Sequence, residues 1–301
     1  MSSTVLRKVK AYVTLTRPHN LLATVITTLI GWLIVFIGVR GNSIINPAYP
    51  ILTVMLAAAG GYVINDYFDA EVDAVNKPYR PIPSGAVSRS EALIFSIVLA
   101  LAAVTLSLKS GPISFTFVIL NTALLYAYSY KLKELGFLGN VVVAFEGAAS
   151  IIYGGLATSE PLGKLELVNQ TFLPALYAFL LLLGREIVKT IEDYRADALR
   201  DVKSLPRILG IRHAAVAASI ILLSVVVISP LPLMMGFGIT YCILALVTDA
   251  IIIYSVAILV RIKDEFAEVV AARLRSYLKV AIFVGSLAFL ADLVVRALHL
   301  L

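Results

Sequence analysis

The sequence predicts an all-α polytopic membrane protein that crosses the bilayer nine times as a single domain, residues 1–301. Three observations carry this. Mean hydropathy is +0.93. Charged residues make up only 15% of the chain, against roughly 25% in soluble domains. The apolar residues fall into runs of about 20, long enough to cross a hydrocarbon core of about 30 Å as helices.

The N-terminus is a basic stretch with Arg7, Lys8, Lys10 and Arg17, and it lacks the layout of a cleaved signal peptide. The spans then follow at about 20–39, 48–68, 91–108, 112–130, 137–157, 171–191, 211–229, 238–260 and 277–298. Each must be helical, because an unpaired backbone amide finds no partner in lipid. The connections after odd-numbered spans are short. The longest, "TSEPLGKLELVNQ" (158–170), has a Pro and a Gly to turn it. The connections after even-numbered spans hold most of the charge. Together with the N-terminus they carry 20 of the 25 Lys and Arg residues. The positive-inside rule therefore puts the N-terminus and these connections in the cytoplasm and the C-terminus outside, in a multi-pass cell-membrane protein.

The net charge of +6 follows from that topology and implies no nucleic-acid partner. A single cysteine, Cys242, excludes an intrachain disulfide, and the three scattered histidines argue against a histidine metal site. No obligatory protein partner is implied.

Two acidic clusters stand where spans 2 and 6 end. Asn65, Asp69 and Asp73 are spaced four and four, as are Asp193, Asp197 and Asp201. Each cluster leads into basic residues and a proline, Lys77, Arg80 and "PIPSG" in one case, Lys203, "SLP" and Arg207 in the other. On a helix, residues four and eight apart form one stripe, and acids stacked in this way repel one another. A solvated helix end is one explanation for one cluster. Two clusters with the same spacing are better explained by oxygen-only sites for Mg²⁺, which binds through one or two carboxylates and substrate phosphates. Two ions bridged by a diphosphate would satisfy both clusters, with the flanking Lys and Arg on phosphate oxygens. A lipid-like tail would then lie in the bundle among rings such as Tyr62, Tyr128, Tyr130 and Tyr153, able to stabilise an allylic cation. Glu146, an acid within span 5, reads either as functional or as a protonated structural group. Asp249 and Asp292 read as structural.

"NDYFDAEVDAVNKPYRPIPSG" (65–85) resembles the first signature of the UbiA superfamily of intramembrane prenyltransferases. "REIVKTIEDYRADALRDVKSLPRILG" (185–210) resembles the second, "YSYKLKELGFLGNVVVAF" (128–145) the middle segment, and "TRPHN" (16–20) the approach to the first helix. The resemblance implies nine helices around a central cavity open sideways to lipid, under cytoplasmic cap loops. It implies that Asn65, Asp69, Asp73, Asp193 and Asp197 hold Mg²⁺-diphosphate, and that Lys77, Arg80 and Lys131 contact phosphate. Arg17 and Asn20 would lie near the acceptor, and Tyr130 and Tyr153 near the reacting carbon. Asp201 departs from the pattern. "RPIPSG" with "REIVKTIED" most resembles the archaeal branch that joins geranylgeranyl diphosphate to geranylgeranylglyceryl phosphate through an ether bond. An aromatic acceptor, as in quinone or chlorophyll pathways, is the alternative chemistry. A secondary transporter fits less well, since its site would lie at the midplane on interrupted helices.

Overall fold

Nine helices long and apolar enough to cross a membrane run through the described residues of this computed structural model, which are 3–40, 46–199 and 202–300. They are α2 (Pro18–Gly38), α3 (Ala48–Phe68), α5 (Arg89–Ser107), α6 (Pro112–Tyr130), α7 (Phe137–Ser159), α8 (Phe172–Glu192), α11 (Ile211–Ile228), α13 (Ile239–Leu259) and α14 (Ala267–Leu298). Five shorter helices complete the set: α1 (Ser3–Leu15), α4 (Ala70–Asn76), α9 (Tyr194–Leu199), α10 (Leu205–Leu209) and α12 (Leu231–Met234).

The central helix is α7, with 67% of its span buried against 17% for α6. Glycine lets α2 reach it. A Cβ on Gly31 would run into the Ile151 carbonyl, and one on Gly154 into the Thr28 carbonyl, so the two backbones touch. The helix ends are capped by identifiable groups. Ser88 and Glu91 form a capping box on α5. The Glu160 carboxylate accepts from the Ile113 and Ser114 amides at 2.8 and 2.7 Å, closing the start of α6 from the end of α7. Asp292 does the same for α13, accepting from the Gly238 and Tyr241 amides. Asp249 accepts from Ser229 Oγ at 2.6 Å. Both acids thus serve the packing.

Two elements depart from the expected layout. The basic N-terminal stretch is a helix, α1, whose Ala11 and Leu15 pack with Val63, Val87 and Ala92. The last helix starts at Ala267, ten residues before the apolar run that marks its span. Its charged first turns are held by ion pairs to the second acidic segment, Arg195 to Glu268 at 3.2 Å and Arg275 to Glu192 at 2.9 Å.

The two acidic clusters are not continuous helix ends. α3 stops at Phe68 with Asp69 at φ −84°, ψ 1°, and α4 resumes at Ala70. α8 stops at Glu192 with Asp193 at φ −83°, ψ 8°, and α9 resumes at Tyr194. The Asp69 amide still bonds to the Asn65 carbonyl, and the Asp193 amide to the Lys189 carbonyl, both at 2.9 Å. The structural repeat therefore pairs Asp69 with Asp193 and Asp73 with Asp197. This shifts the sequence register by one turn and sets Asn65 against Lys189. Asp201 lies outside the described residues.

Candidate active site

A cavity of about 610 Å³ lies inside the bundle. Its deep end is formed by Thr53, Phe117, Tyr153, Tyr177 and Phe289, and its other end by Arg17, Asn20, Tyr62, Asn65, Tyr128, Glu186 and Lys189. The walls between are mostly apolar, from α2, α3, α7, α8 and α14. Leu22 and Phe283 both line it and are exposed, so it opens sideways between α2 and α14.

The polar mouth is built around Asp66. This side chain is buried and accepts from Arg17 and, at 3.2 Å, from Arg80. Arg80 also bonds Asp73, which is buried in turn. Arg17 reaches Asp66 because its own backbone is left-handed, φ 49°, at the kink between α1 and α2. A non-glycine residue pays for that conformation in strain, and here it aims the guanidinium at Asp66, Asn65 Oδ1 (3.4 Å) and the Tyr62 ring, 5.2 Å from its centroid. Asp69 is held by Lys133. Gly136, at φ 60°, lets that connection pack directly on the Lys203 carbonyl, where a Cβ would not fit. Arg207 donates to the Asp197 and Val202 carbonyls, folding the second acidic segment back on itself.

The clusters converge through the cavity rim. Asn65 and Lys189 both line it. Asp69 and Asp193 each sit one helical turn, about 5.4 Å, beyond them. Tyr128 stands between the two sides, within electrostatic reach of Arg17, Asp69 and Glu186.

Of the residues picked from the sequence, Arg17, Asn20, Asn65 and Tyr153 line the cavity. Asp69, Asp73, Arg80, Asp193 and Asp197 do not line it; Asp69 and Asp193 follow the lining residues Asn65 and Lys189 by one helical turn. Lys77 is exposed beyond it. Tyr130 is not brought to the cavity. It is 67% exposed and packs on Phe68, and Tyr128 is the ring that faces inward. Lys131 points away and pairs with Glu134 at 2.6 Å, which raises its pKa, while Lys133 takes the inward position. Tyr153 lies 13 residues beyond Asn140 on α7, about 20 Å deeper, at the far end of the cavity. The sequence reading missed Asp66, Lys133, Arg185, Glu186, Lys189 and Lys279. Asp66 had a signal, because it adjoins Asn65 within the motif. The others look like ordinary topological charges.

Among the described residues, no group of three or more Asp, Glu, His or Cys is assembled to hold a metal alone. The rim donors are all oxygens, in two separate clusters. That set fits a hard divalent cation that completes its shell with substrate phosphate and water.

A charged mouth over a long apolar chamber with a lateral opening defines an intramembrane transferase for lipid-like substrates. The UbiA prenyltransferase family profile matches residues 24–287, and the chain belongs to that family. It is 44% identical over 297 residues to the digeranylgeranylglyceryl phosphate synthase of Hyperthermus butylicus, covering 96% of this chain and 98% of that one. A solved structure named for digeranylgeranylglyceryl phosphate synthase in membranes superposes with a TM-score of 0.78 at 31% identity, covering 95% of this chain and 99% of that chain. A UbiA homolog from Archaeoglobus fulgidus bound to GPP and Mg²⁺ shares the fold, with a TM-score of 0.60 at 17% identity, covering 91% and 99%.

Proposed function

We propose that the protein transfers a geranylgeranyl group from geranylgeranyl diphosphate to the hydroxyl of geranylgeranylglyceryl phosphate, releasing diphosphate and forming the second ether bond of archaeal membrane lipids. The observation that carries this reading is near full-length likeness to relatives of that name at up to 44% identity, joined to a cavity whose one end is charged and whose other is aromatic.

The bond between C1 and the diphosphate oxygen breaks, the acceptor oxygen bonds to C1, and the hydroxyl proton leaves. Asp69 and Asp73 on one side and Asp193 and Asp197 on the other, with Asn65, would hold two Mg²⁺ ions. When bound, these supply Lewis-acid polarisation of the leaving group. Arg17 and Arg80 hold fixed positive charge at the rim through Asp66, preorganised for a departing anion. Lys133, seated on Asp69, and exposed Lys77 add further positive charge. Tyr128 and Tyr62 line the mouth where the allylic carbon would sit, Tyr62 with the Arg17 guanidinium over its ring, and Tyr153 and Phe117 close on the tail. Two acids line the cavity, Glu146 and Glu186. Glu186 serves Arg185 and Lys189, whereas Glu146 Oε1 has no hydrogen-bond partner. In this reading Glu146 receives the proton, supported by its position on the cavity wall. The rim and the N-terminus face the cytoplasm in this reading.

The test is an assay of the purified protein with geranylgeranyl diphosphate and Mg²⁺ against a panel of acceptors. Ether formation on geranylgeranylglyceryl phosphate is expected. Turnover of an aromatic acid with none of the glyceryl phosphate would move the chain to the quinone branch.

A further inference from the structure

One wall of the cavity carries positive charge that the acidic rim does not use. Arg185 and Lys189 on α8 and Lys279 on α14 all line it. A single carboxylate, Glu186, serves both Arg185 and Lys189, the latter at 3.8 Å. Lys279 is exposed, and no described carboxylate pairs with it.

The three cations share a depth. α14 packs along α8, and two contacts fix their register: Arg275 bonds Glu192 at 2.9 Å, and a Cβ on Gly285 would lie 3.7 Å from Tyr177 Cε1. Lys279 falls between these contacts, one turn beyond Arg275 on the same face, and so comes level with the Arg185–Lys189 turn. It is also one turn from Phe283, which marks the lateral opening. Lys189 and Arg185 lie one and two turns deeper than Asp193, so this wall is separate from the carboxylate rim. With the Arg275–Glu192 pair of the adjoining turn counted in, four cations face two carboxylates, a surplus of two positive charges. A phosphate monoester carries about −1.5 to −2 at pH 7.

We infer that Arg185, Lys189 and Lys279 form a binding site for a phosphate monoester, the headgroup of the lipid acceptor that enters between α2 and α14. This rests on the reading of the acceptor as a glyceryl phosphate. The arginine fork grips two phosphate oxygens, and the two lysines neutralise the rest. Such a site selects the acceptor by its headgroup and leaves the diphosphate to the rim.

Lys279→Gln and Lys279→Arg test it, with geranylgeranylglyceryl phosphate and its dephosphorylated alcohol as paired acceptors. The readout is the ratio of kcat/KM for the two. Loss of one charged contact should lower that ratio about 10- to 100-fold in Lys279→Gln, and Lys279→Arg should restore most of it. An unchanged ratio in Lys279→Gln overturns the site. Thermal stabilisation by the phosphorylated acceptor, without donor or metal, gives a second readout that needs no turnover. It should appear in the wild type and shrink in Lys279→Gln. A wild type that is stabilised in this way but never alkylates the lipid would sink the proposed reaction and leave the site standing. Equal stabilisation by inorganic phosphate at the same concentration would overturn the assignment to a lipid headgroup.

Discussion

Asp66 and Asp69 are three residues apart, yet one is buried between two arginines and the other is part-exposed on Lys133, and conservative substitutions should separate the roles proposed for them. Asp66 is buried, with its side chain 7% exposed, and it joins two arginines. Removing one partner of a fully buried ion pair costs about 3–5 kcal/mol. Here the arginine side chains are 24% and 23% exposed, and each keeps a second acceptor, Asn65 for Arg17 and Asp73 for Arg80. The cost of Asp66→Asn is therefore discounted to about 2–3 kcal/mol. The Asp69–Lys133 pair, at 27% and 21% exposed, joins two loops at the rim, and Asp69→Asn should cost less than about 1 kcal/mol. Reversible unfolding of the purified protein in mixed micelles measures both. Asp69→Asn should keep near wild-type stability and lose turnover, while Asp66→Asn should lose stability whether or not turnover persists. Equal destabilisation by the two, or a neutral Asp66→Asn, would refute the division between a clamp and a ligand.

Other expectations follow from the same geometry. Mg²⁺ with diphosphate should raise the wild-type melting temperature by linkage, and Asp193→Asn should lose most of that gain; a full gain in the mutant removes Asp193 from the metal site. Lys133→Gln should lower kcat/KM well beyond Lys131→Gln, because only Lys133 reaches Asp69, and the reverse order would restore Lys131 as the phosphate contact. Gly154→Val should destabilise by about 1–3 kcal/mol or more in the same unfolding assay, since the added atoms meet the Thr28 backbone. For topology, a cysteine at exposed Ser84 should label only from the cytoplasm and one at exposed Lys164 only from outside, in a Cys242→Ser background. Labelling of both from one face ends the nine-span arrangement.

The spans were legible because lipid imposes one rule on them, a run of apolar residues as long as the membrane is thick. What escaped was every element that obeys a different rule. α1 is a charged amphipathic helix, and its buried stripe shows only when Val63 and Val87 are there to receive it. The first turns of α14 carry Glu268, Arg273 and Arg275, so no apolar run extends there, and only their ion pairs to α8 and α9 show that the helix continues. The acidic residues were legible by spacing, but their neighbours were not. That Arg17 turns to Asp66 depends on a left-handed backbone, and that Lys133 rather than Lys131 faces Asp69 depends on a turn of three residues. Neither leaves a mark in composition.

The shifted register of the repeat explains why the two acidic segments are unequal. With Asp69 matched to Asp193, both transmembrane helices break at the matched aspartate and restart one residue later. What precedes the break then differs. The first segment offers Asn65 and Asp66, with Arg17 and Arg80 already seated on the carboxylate. The second offers Lys189 at the position of Asn65, and its Arg207 donates to loop carbonyls. One half thus brings Arg17 and Arg80 on Asp66 to the mouth, and the other brings Lys189 into the cavity. An anion at the mouth would meet fixed arginines from one side and Lys189 from the other, with the aspartate oxygens of both segments beyond them. If this asymmetry is functional, exchanging the two residues that the repeat aligns, Asn65→Lys with Lys189→Asn, should preserve the net charge of the rim and still abolish turnover. The Arg17 guanidinium would then face a lysine where it now meets an amide oxygen. Near wild-type activity in that double variant, with each single variant impaired, would show that only the total charge at the mouth matters and that the order of residues before each break does not.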